Sequence, residues 1–379
     1  MSKQKTICCL AEMAFQFSPT NDMEIDLAGG GELWLEDFTT LLKSQGYNVR
    51  LYQFSYNKLS KNFRGHKIKG LGNMATNKTY SQCSVDGLNM FKELSKDADG
   101  IFLLSMNLSH VKFDKPTLTV SHGVIGDNDL SNLSRGEQIA KGMKRWIGNA
   151  NRVISVDTNT IHLMQMLHPV EAQKLTFVPN YVDTDRFVYK PKDCKGNLKV
   201  LFARRISPER GYLQMARACE ILSAKYDDIE FTFCGKGHPQ EENKLHSIID
   251  KLPNVKHINL PHKDMHTVYE DQHISVVPTT TSEGSSLSLI ESVVIGTVPI
   301  ATTIGGISDI ITHLFNGIMI SPNSVEEIVD AIEYLYHNRD ELQEMRNNCL
   351  RMGKAFSKKR WEKQIVSITE SLYGNKNKI

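Results

Sequence analysis

The chain has 379 residues, more than the roughly 100–200 of one compact domain, so two domains with an interface between them are expected. Hydrophobic residues at 40% and charged residues at 23% exclude a mainly disordered, collagenous or membrane-embedded chain, and no apolar run reaches the roughly 18 residues that span a bilayer. A net charge of +2 is too small to mark a nucleic-acid binder, and 7 scattered cysteines fit reduced thiols better than a disulfide framework. No secretory signal is legible behind Met1, and the cytoplasm is the expected compartment.

Short β-rich runs alternate with amphipathic helical stretches, the pattern of parallel sheets covered by helices on both faces. In the first half, strands are predicted at 6–10, 48–54, 100–104, 117–121, 152–156 and 175–178. A helix over 32–45 carries Leu33, Leu35, Phe38, Leu41 and Leu42 on one stripe and is stopped by Gly46. Between Phe38 and Val85 there is no Asp or Glu, yet Lys43, Arg50, Lys58, Lys61, Arg64, Lys67, Lys69 and Lys78 all fall there. That stretch reads either as a solvated loop with basic helix ends or as a contact for a polyanionic acceptor or an anionic lipid surface. The stretch 180–197 has Asp, Lys, Pro and Gly without apolar periodicity and reads as a linker.

The rhythm restarts with strands at 199–203, 229–234, 255–260, 274–277, 298–301 and 317–320. Helical spacing returns in the tail through Trp361, Ile365, Ile368 and Leu372, whose place is packing rather than a ligand box. The expected fold is α/β: two doubly wound units, 1–185 and 186–356, with a C-terminal helix in 357–379 crossing back to the first.

Several groups could carry chemistry. Gly30 and Gly31 open a helix after the first strand, where backbone can approach a phosphate or sugar closely. Gly235-Lys236-Gly237 follows a strand of the second unit, again a ligand position in open sheets. Arg205 and Arg210 lie on the loop after that unit's first strand; they could clamp a diphosphate, or be one exposed charge and one ion pair. Glu283 and Glu291 are eight residues apart, about 12 Å if helical throughout, too far to share a proton, and the amides of Ser286, Leu287 and Ser288 could face an anion. Three D-x-D tripeptides, at Asp97, Asp127 and Asp183, are too frequent to signal a metal site. His262, His266 and Glu270 stand at i, i+4 and i+8 without a fourth ligand; a half-exposed helix is the reading there.

Taken in order, Val178-Pro179-Asn180-Tyr181-Val182-Asp183, the run Arg205 to Gly211, Gly235-Lys236-Gly237, Glu283 to Glu291, Gly296-Thr297-Val298-Pro299-Ile300-Ala301-Thr302 and Gly305-Gly306 form a specific series. The sequence resembles the retaining glycosyltransferases of family four, also called glycosyl transferases group 1, which have the GT-B fold: two facing Rossmann-like domains with a nucleotide-sugar donor in the cleft. The resemblance implies that Arg205 and Arg210 hold the donor diphosphate, that Glu291 accepts the ribose hydroxyls, and that Glu283 faces the sugar near its reacting carbon. It implies that His122, in Ser121-His122-Gly123, contacts that sugar from the other domain, and that Gly30 or Gly31 lets the N-terminal loop close over the donor. Gly235, Lys236, Gly237, Ser285, Ser286, Leu287 and Ser288 complete the implied donor site, with no metal and no cofactor.

The family usually has Lys where Arg210 stands, Gly where Arg204 stands and Phe-Gly where Ser285-Ser286 stands, so donor preference is open; a UDP-sugar is favoured. The implied partners are the donor and an acceptor hydroxyl on a glycan, polymer, lipid or protein, anionic if the Lys43 to Lys78 stretch serves it, with peripheral membrane contact left open and no nucleic acid. A sugar-nucleotide epimerase and a catalytically silent nucleotide-sugar-binding partner are the alternatives.

Overall fold

A computed structural model describes residues 4–12, 15–17, 24–26, 30–63, 65–124, 133–191 and 196–374. The strands are β1 (Thr6–Ala11), β2 (Phe15–Phe17), β3 (Glu24–Asp26), β4 (Asn48–Gln53), β5 (Lys58–Phe63), β6 (His66–Leu71), β7 (Gly100–Leu103), β8 (Thr117–Ser121), β9 (Arg152–Ser155) and β10 (Leu175–Phe177) in the first half. The second half has β11 (Leu198–Ala203), β12 (Ile229–Cys234), β13 (Val255–Ile258), β14 (Ile274–Val277), β15 (Val298–Thr302) and β16 (Ile318–Ile320). The helices are α1 (Gly30–Ser44), α2 (Tyr80–Leu94), α3 (Leu133–Asn149), α4 (Thr158–Leu167), α5 (Pro169–Ala172), α6 (Tyr212–Ser223), α7 (Pro239–Ile249), α8 (Met265–Tyr269), α9 (Leu287–Ile295), α10 (Val325–His337), α11 (Arg339–Gly353) and α12 (Lys358–Tyr373).

β1 is buried at every position because both of its faces are covered, as central parallel strands require. Ile7, Cys9 and Ala11 face a core built from Trp34 and Phe38 of α1 and Trp361 and Ile365 of α12, while Cys8 and Leu10 face Leu88 and Phe91 of α2. The sheet runs β10-β9-β8-β7-β1-β4-β6-β5, parallel throughout except for the β5–β6 pair. The second sheet, β13-β12-β11-β14-β15-β16, is wholly parallel. Its two faces are divided the same way: Val200 and Phe202 pack with α6, α7 and α10, and Leu201 and Ala203 with α9 and α11.

The chain crosses between the lobes twice, and the crossings hold each other. Val182 donates its N–H to the Phe356 carbonyl at 2.9 Å, and Lys358 donates to the Val182 carbonyl at 3.0 Å. Beyond them α12 lies on the first lobe, where the buried Tyr373 hydroxyl donates to the Ile101 carbonyl at 2.5 Å.

Three sequence expectations are corrected. The basic stretch is no loop: residues 58–71 form an antiparallel hairpin on the sheet edge, with His66, Ile68 and Gly70 inward and Lys67 and Lys69 outward. Exposed lysines there also discourage edge-to-edge pairing with other chains. Part of the charge is spent locally, since Arg50 grips Asp97 through two 2.8 Å bonds and Lys78 meets Asp86 at 2.6 Å; Arg64 lies outside the described residues. The linker starts as packed structure: Tyr181 stacks on Trp361 at 4.2 Å and donates to Asp37 at 2.6 Å. Finally, His262, His266 and Glu270 do not share one helix, because a 3-10 turn over His262–Asp264 precedes α8.

Candidate active site

β11 delivers the chain to Arg204 and Arg205, and Pro208 then starts a one-turn 3-10 helix ended by Gly211 at φ 75°. A β-carbon at 211 would sit 1.9 Å from the Pro278 carbonyl oxygen, so only glycine fits. Arg205 is exposed and its side chain meets no partner among the described residues. Arg210 reaches Glu283, its Nη1 2.5 Å from Oε2. The same oxygen takes Nη2 of Arg204 at 2.6 Å and the Thr279 hydroxyl at 3.0 Å, and Arg204 Nη1 donates to that hydroxyl at 2.6 Å. Burial pushes the Glu283 carboxyl up, but Arg204 and Arg210 outweigh it and hold the group below its ordinary range. Glu283 is therefore ionised and the three-residue cluster keeps one surplus positive charge. Buried pairs of this kind place charge more than they add stability.

Glu283 is not on the helix that the eight-residue spacing assumed: α9 starts only at Leu287, so the 12 Å separation does not apply. Ser286 stands at the N-cap with no side-chain capping bond, which leaves the first amides of α9 unfilled. Ser285 is turned the other way, its hydroxyl accepting from the Asn180 N–H at 3.2 Å and its carbonyl from the Asn180 amide at 2.7 Å. The hydroxyl is thus used at the lobe crossing rather than at the helix N-terminus. One α9 turn deeper, Glu291 accepts from Tyr269 at 2.9 Å; burial raises its carboxyl to about 7, against the lowering effect of that bond.

The loop Gly235-Lys236-Gly237 packs backbone on backbone against the arginine loop. A β-carbon on Gly235 would lie 2.1 Å from the Arg204 carbonyl oxygen and one on Gly237 2.3 Å from that of Ile206, and Ile206 donates to the Lys236 carbonyl at 2.9 Å. These glycines hold the Arg205 loop in place, while the Lys236 side chain is exposed.

The first lobe brings His122 at the end of β8. A carbonyl can only accept, so its 3.1 Å contact with the Leu104 carbonyl puts the imidazole proton on Nε2 and leaves Nδ1 an acceptor. The ring packs edge-on against Trp34 at 6.2 Å, and desolvation there pushes the imidazole down to about 4. The residue as a whole is exposed to solvent, which weakens that desolvation, yet any lowering from the ordinary value leaves the ring neutral at pH 7.

Across the cleft the lobes meet through backbone. A β-carbon on Gly284 would lie 2.3 Å from the His122 carbonyl oxygen, and one on Gly123 3.2 Å from the Gly284 α-carbon. Ser282 donates to the Val124 carbonyl at 2.9 Å, and Asp309 accepts from the Thr158 N–H at 2.8 Å and hydroxyl at 2.5 Å, an acidic group from one lobe at the N-terminus of α4 in the other. Gly30 faces Leu287 across the same gap, whereas Gly31 has open space around it. A cavity of about 420 Å³ lies there, lined among others by Gly30, Asp37, Arg186, Lys263, Leu287 and Glu291. Arg205, Arg210, Glu283 and His122 do not line it; they adjoin it through the 283–287 segment.

The structure thus gathers Arg210, Glu283, His122 and the start of α9 around one cleft, with Glu291 in the cavity beside it. The other motifs do local work: Asp183 Oδ1 accepts from the Asp185 N–H at 3.0 Å, Asp97 serves Arg50, and Glu270 meets Lys190 at 2.5 Å, while Asp127 and Asp129 lie outside the described residues. Thr279, Asp309 and Thr158 were not anticipated, and only the tripeptide Thr279-Thr280-Thr281 ahead of Glu283 could have hinted at the first, whereas Asn180 stood in the quoted segment 178–183 without a role.

Two Rossmann-like units facing each other across such a cleft define the GT-B class. Residues 184–352 match the family described as glycosyl transferases group 1. It is 22% identical over 330 residues to a Haemophilus influenzae protein named an uncharacterized glycosyltransferase, covering 83% of this chain and 89% of that one. A 2-deoxystreptamine N-acetyl-D-glucosaminyltransferase of Niallia circulans is 28% identical over 40% of this chain and 39% of its own. Among solved structures, sucrose-phosphate synthase from Thermosynechococcus elongatus superposes with TM-score 0.79 at 15% identity, covering 98% and 99% of the two chains. The Anabaena protein HepE, solved with UDP-glucose, gives 0.71 at 15% identity, covering 97% and 100%.

Proposed function

We propose that this glycosyltransferase moves a sugar from a nucleoside-diphosphate sugar to an acceptor hydroxyl with retention at the anomeric carbon, without metal. The observation that carries the reading is the surplus positive charge of the Arg204–Glu283–Arg210 cluster, with Arg205 beside it, on the loops leading to the uncapped N-terminus of α9. Developing negative charge on a departing diphosphate is what such an arrangement stabilises. The bond from the anomeric carbon to the phosphate oxygen breaks and its electron pair leaves on the diphosphate. The acceptor oxygen attacks from the same face, and a phosphate oxygen takes the acceptor proton.

In this reading residues 186–356 hold the donor, with Glu291 on the ribose hydroxyls and the base in the adjoining cavity. Residues 1–185, with 357–379 packed on them, carry the acceptor, and His122 accepts a donor-sugar hydroxyl at Nδ1. A UDP-sugar is the favoured donor, in line with the UDP-glucose named for HepE and the N-acetylglucosaminyl transfer named for the Niallia relative. Exposed Lys58, Lys67 and Lys69 on the edge hairpin favour a phosphate-bearing acceptor, and two relatives are named D-inositol 3-phosphate glycosyltransferases. The place of action is the cytoplasm or its membrane face; no helix among the described residues is long and apolar enough to cross a membrane. The test is a thermal-shift screen of UDP-, GDP- and ADP-sugars followed by NMR of the product's anomeric proton. Stabilisation by a nucleotide sugar and a retained configuration are expected; an inverted product refutes the mechanism.

A further inference from the structure

We infer that Arg204 is a positioning residue that frees Arg210 for the donor: it neutralises Glu283 permanently, so that Arg210 can leave the carboxylate for the diphosphate without orphaning a buried charge. The inference rests on the donor reading above. Its physical basis is the unequal burial of two arginines on one oxygen. The Arg204 side chain is 5% exposed and Glu283 9%, whereas Arg210 is 32% exposed. Arg204 is also fixed at both ends of its fork, by Glu283 and by Thr279, while Arg210 has the single bond to Glu283. Of the two, Arg210 is the one that can move.

Charge counting shows why the second arginine matters. With Arg210 alone, the pair would be neutral, and its departure would strand a buried carboxylate or force its protonation. With Arg204 in place, Glu283 stays paired and Arg210 carries the surplus charge to the ligand. The exchange then proceeds at constant protonation. Other groups facing Glu283 do not replace Arg204: Thr279 is neutral, the Glu283 carbonyl takes the Gly306 N–H at 3.0 Å, the adjoining Gly284 meets the His122 carbonyl, and Arg205 points to solvent. Tyr269 is the other titratable group whose charge bears on Arg204, and its own proton is held by burial and Glu291. All three oxygen-bound donors meet Oε2; Oε1 has no protein donor among the described residues and is left for a ligand hydroxyl.

Titration calorimetry of the full chain with UDP, at pH 7 in two buffers of different ionisation enthalpy, tests this by counting protons taken up on binding. Subtracting wild type from variant removes the contributions of UDP and Glu291, common to both. Arg204→Met is expected to weaken UDP binding about tenfold or more and to add a fractional proton uptake, its affinity relative to wild type rising as pH falls, because Glu283 becomes protonated once Arg210 leaves. Arg204→Lys keeps the charge and restores the wild-type proton count. Glu283→Gln added to Arg204→Met removes the carboxylate and abolishes the extra uptake, which separates this role from a general loss of packing. UDP binding to Arg204→Met with wild-type affinity and proton count overturns the role of Arg204 alone. A wild-type chain that binds neither UDP, GDP nor ADP overturns the donor reading and the inference with it.

Discussion

Replacing Gly284 by alanine separates the chemistry from the fold, because the added methyl falls between the lobes and not within one. The β-carbon would lie 2.3 Å from the His122 carbonyl oxygen and 2.9 Å from its carbon, with Val156 at 3.2 Å. An unstrained carbon–oxygen contact is about 3.3 Å or longer, so the loops must part by roughly 1 Å. The His122 contact is backbone on backbone, so rotating a side chain does not relieve it. The 2.9 Å bond from Ser282 to the Val124 carbonyl is next to the contact and stretches with it. In the proposed reading His122 then withdraws from the donor sugar, and a misplacement of about 1 Å costs on the order of 10²-fold in rate. Steady-state kinetics with the best donor should show kcat/KM falling by about that factor, while calorimetry shows UDP affinity, set by the second lobe, changing only a few-fold. Wild-type turnover, or a loss of UDP binding in proportion to the loss of rate, would refute the reasoning.

Arg205→Ala removes an exposed cation with no protein partner among the described residues, so stability should stay within about 0.5 kcal/mol in urea unfolding while kcat falls about 10²–10³-fold. For Glu291, burial raises the folded carboxyl to about 7, above its unfolded value, so the folded state binds more protons between pH 4.5 and 7 and stability falls as pH rises through that window. Glu291→Gln should therefore be more stable than wild type above pH 7, by on the order of 3 kcal/mol, measured as urea midpoints across pH. If Glu291 holds the ribose as proposed, UDP affinity in wild type should rise as pH rises through about 7, because the ionised carboxylate is the better acceptor for ribose hydroxyls; in Glu291→Gln that rise disappears. Asp309→Ala removes two bonds to Thr158 across the lobes and should cost about 1–3 kcal/mol in unfolding and widen the cleft in solution scattering.

The parallel architecture was legible because both sheets are built from buried runs such as Thr6–Ala11 and Leu198–Ala203, whose apolar continuity needs no tertiary information. The hairpin at 58–71 was not, since lysines and serines on an edge strand carry no hydrophobic signal and Gly65 at φ 82° marks the turn only in retrospect. At the site, spacing put Arg205 and Arg210 after β11 and Glu283 and Glu291 around the start of α9 but could not assign pairings. Spacing alone left a diphosphate clamp and an exposed charge plus an ion pair equally open, and with no ligand present the second is what the side chains show: Arg205 is exposed and Arg210 is on Glu283. The lobe contact at Gly123 and Gly284 was invisible for a different reason: close backbone approach between segments about 160 residues apart leaves no trace in local pattern.

The central claim, that the arginines and the start of α9 receive the leaving diphosphate, is tested most directly by diffraction from crystals grown with UDP. The account predicts phosphate oxygens within about 3.2 Å of the Arg205 and Arg210 guanidinium groups and of the amides at 286–288, with Arg210 released from Glu283 and Arg204 still on it. UDP bound elsewhere, or bound with Arg210 still on Glu283 and Arg205 in solvent, would contradict it.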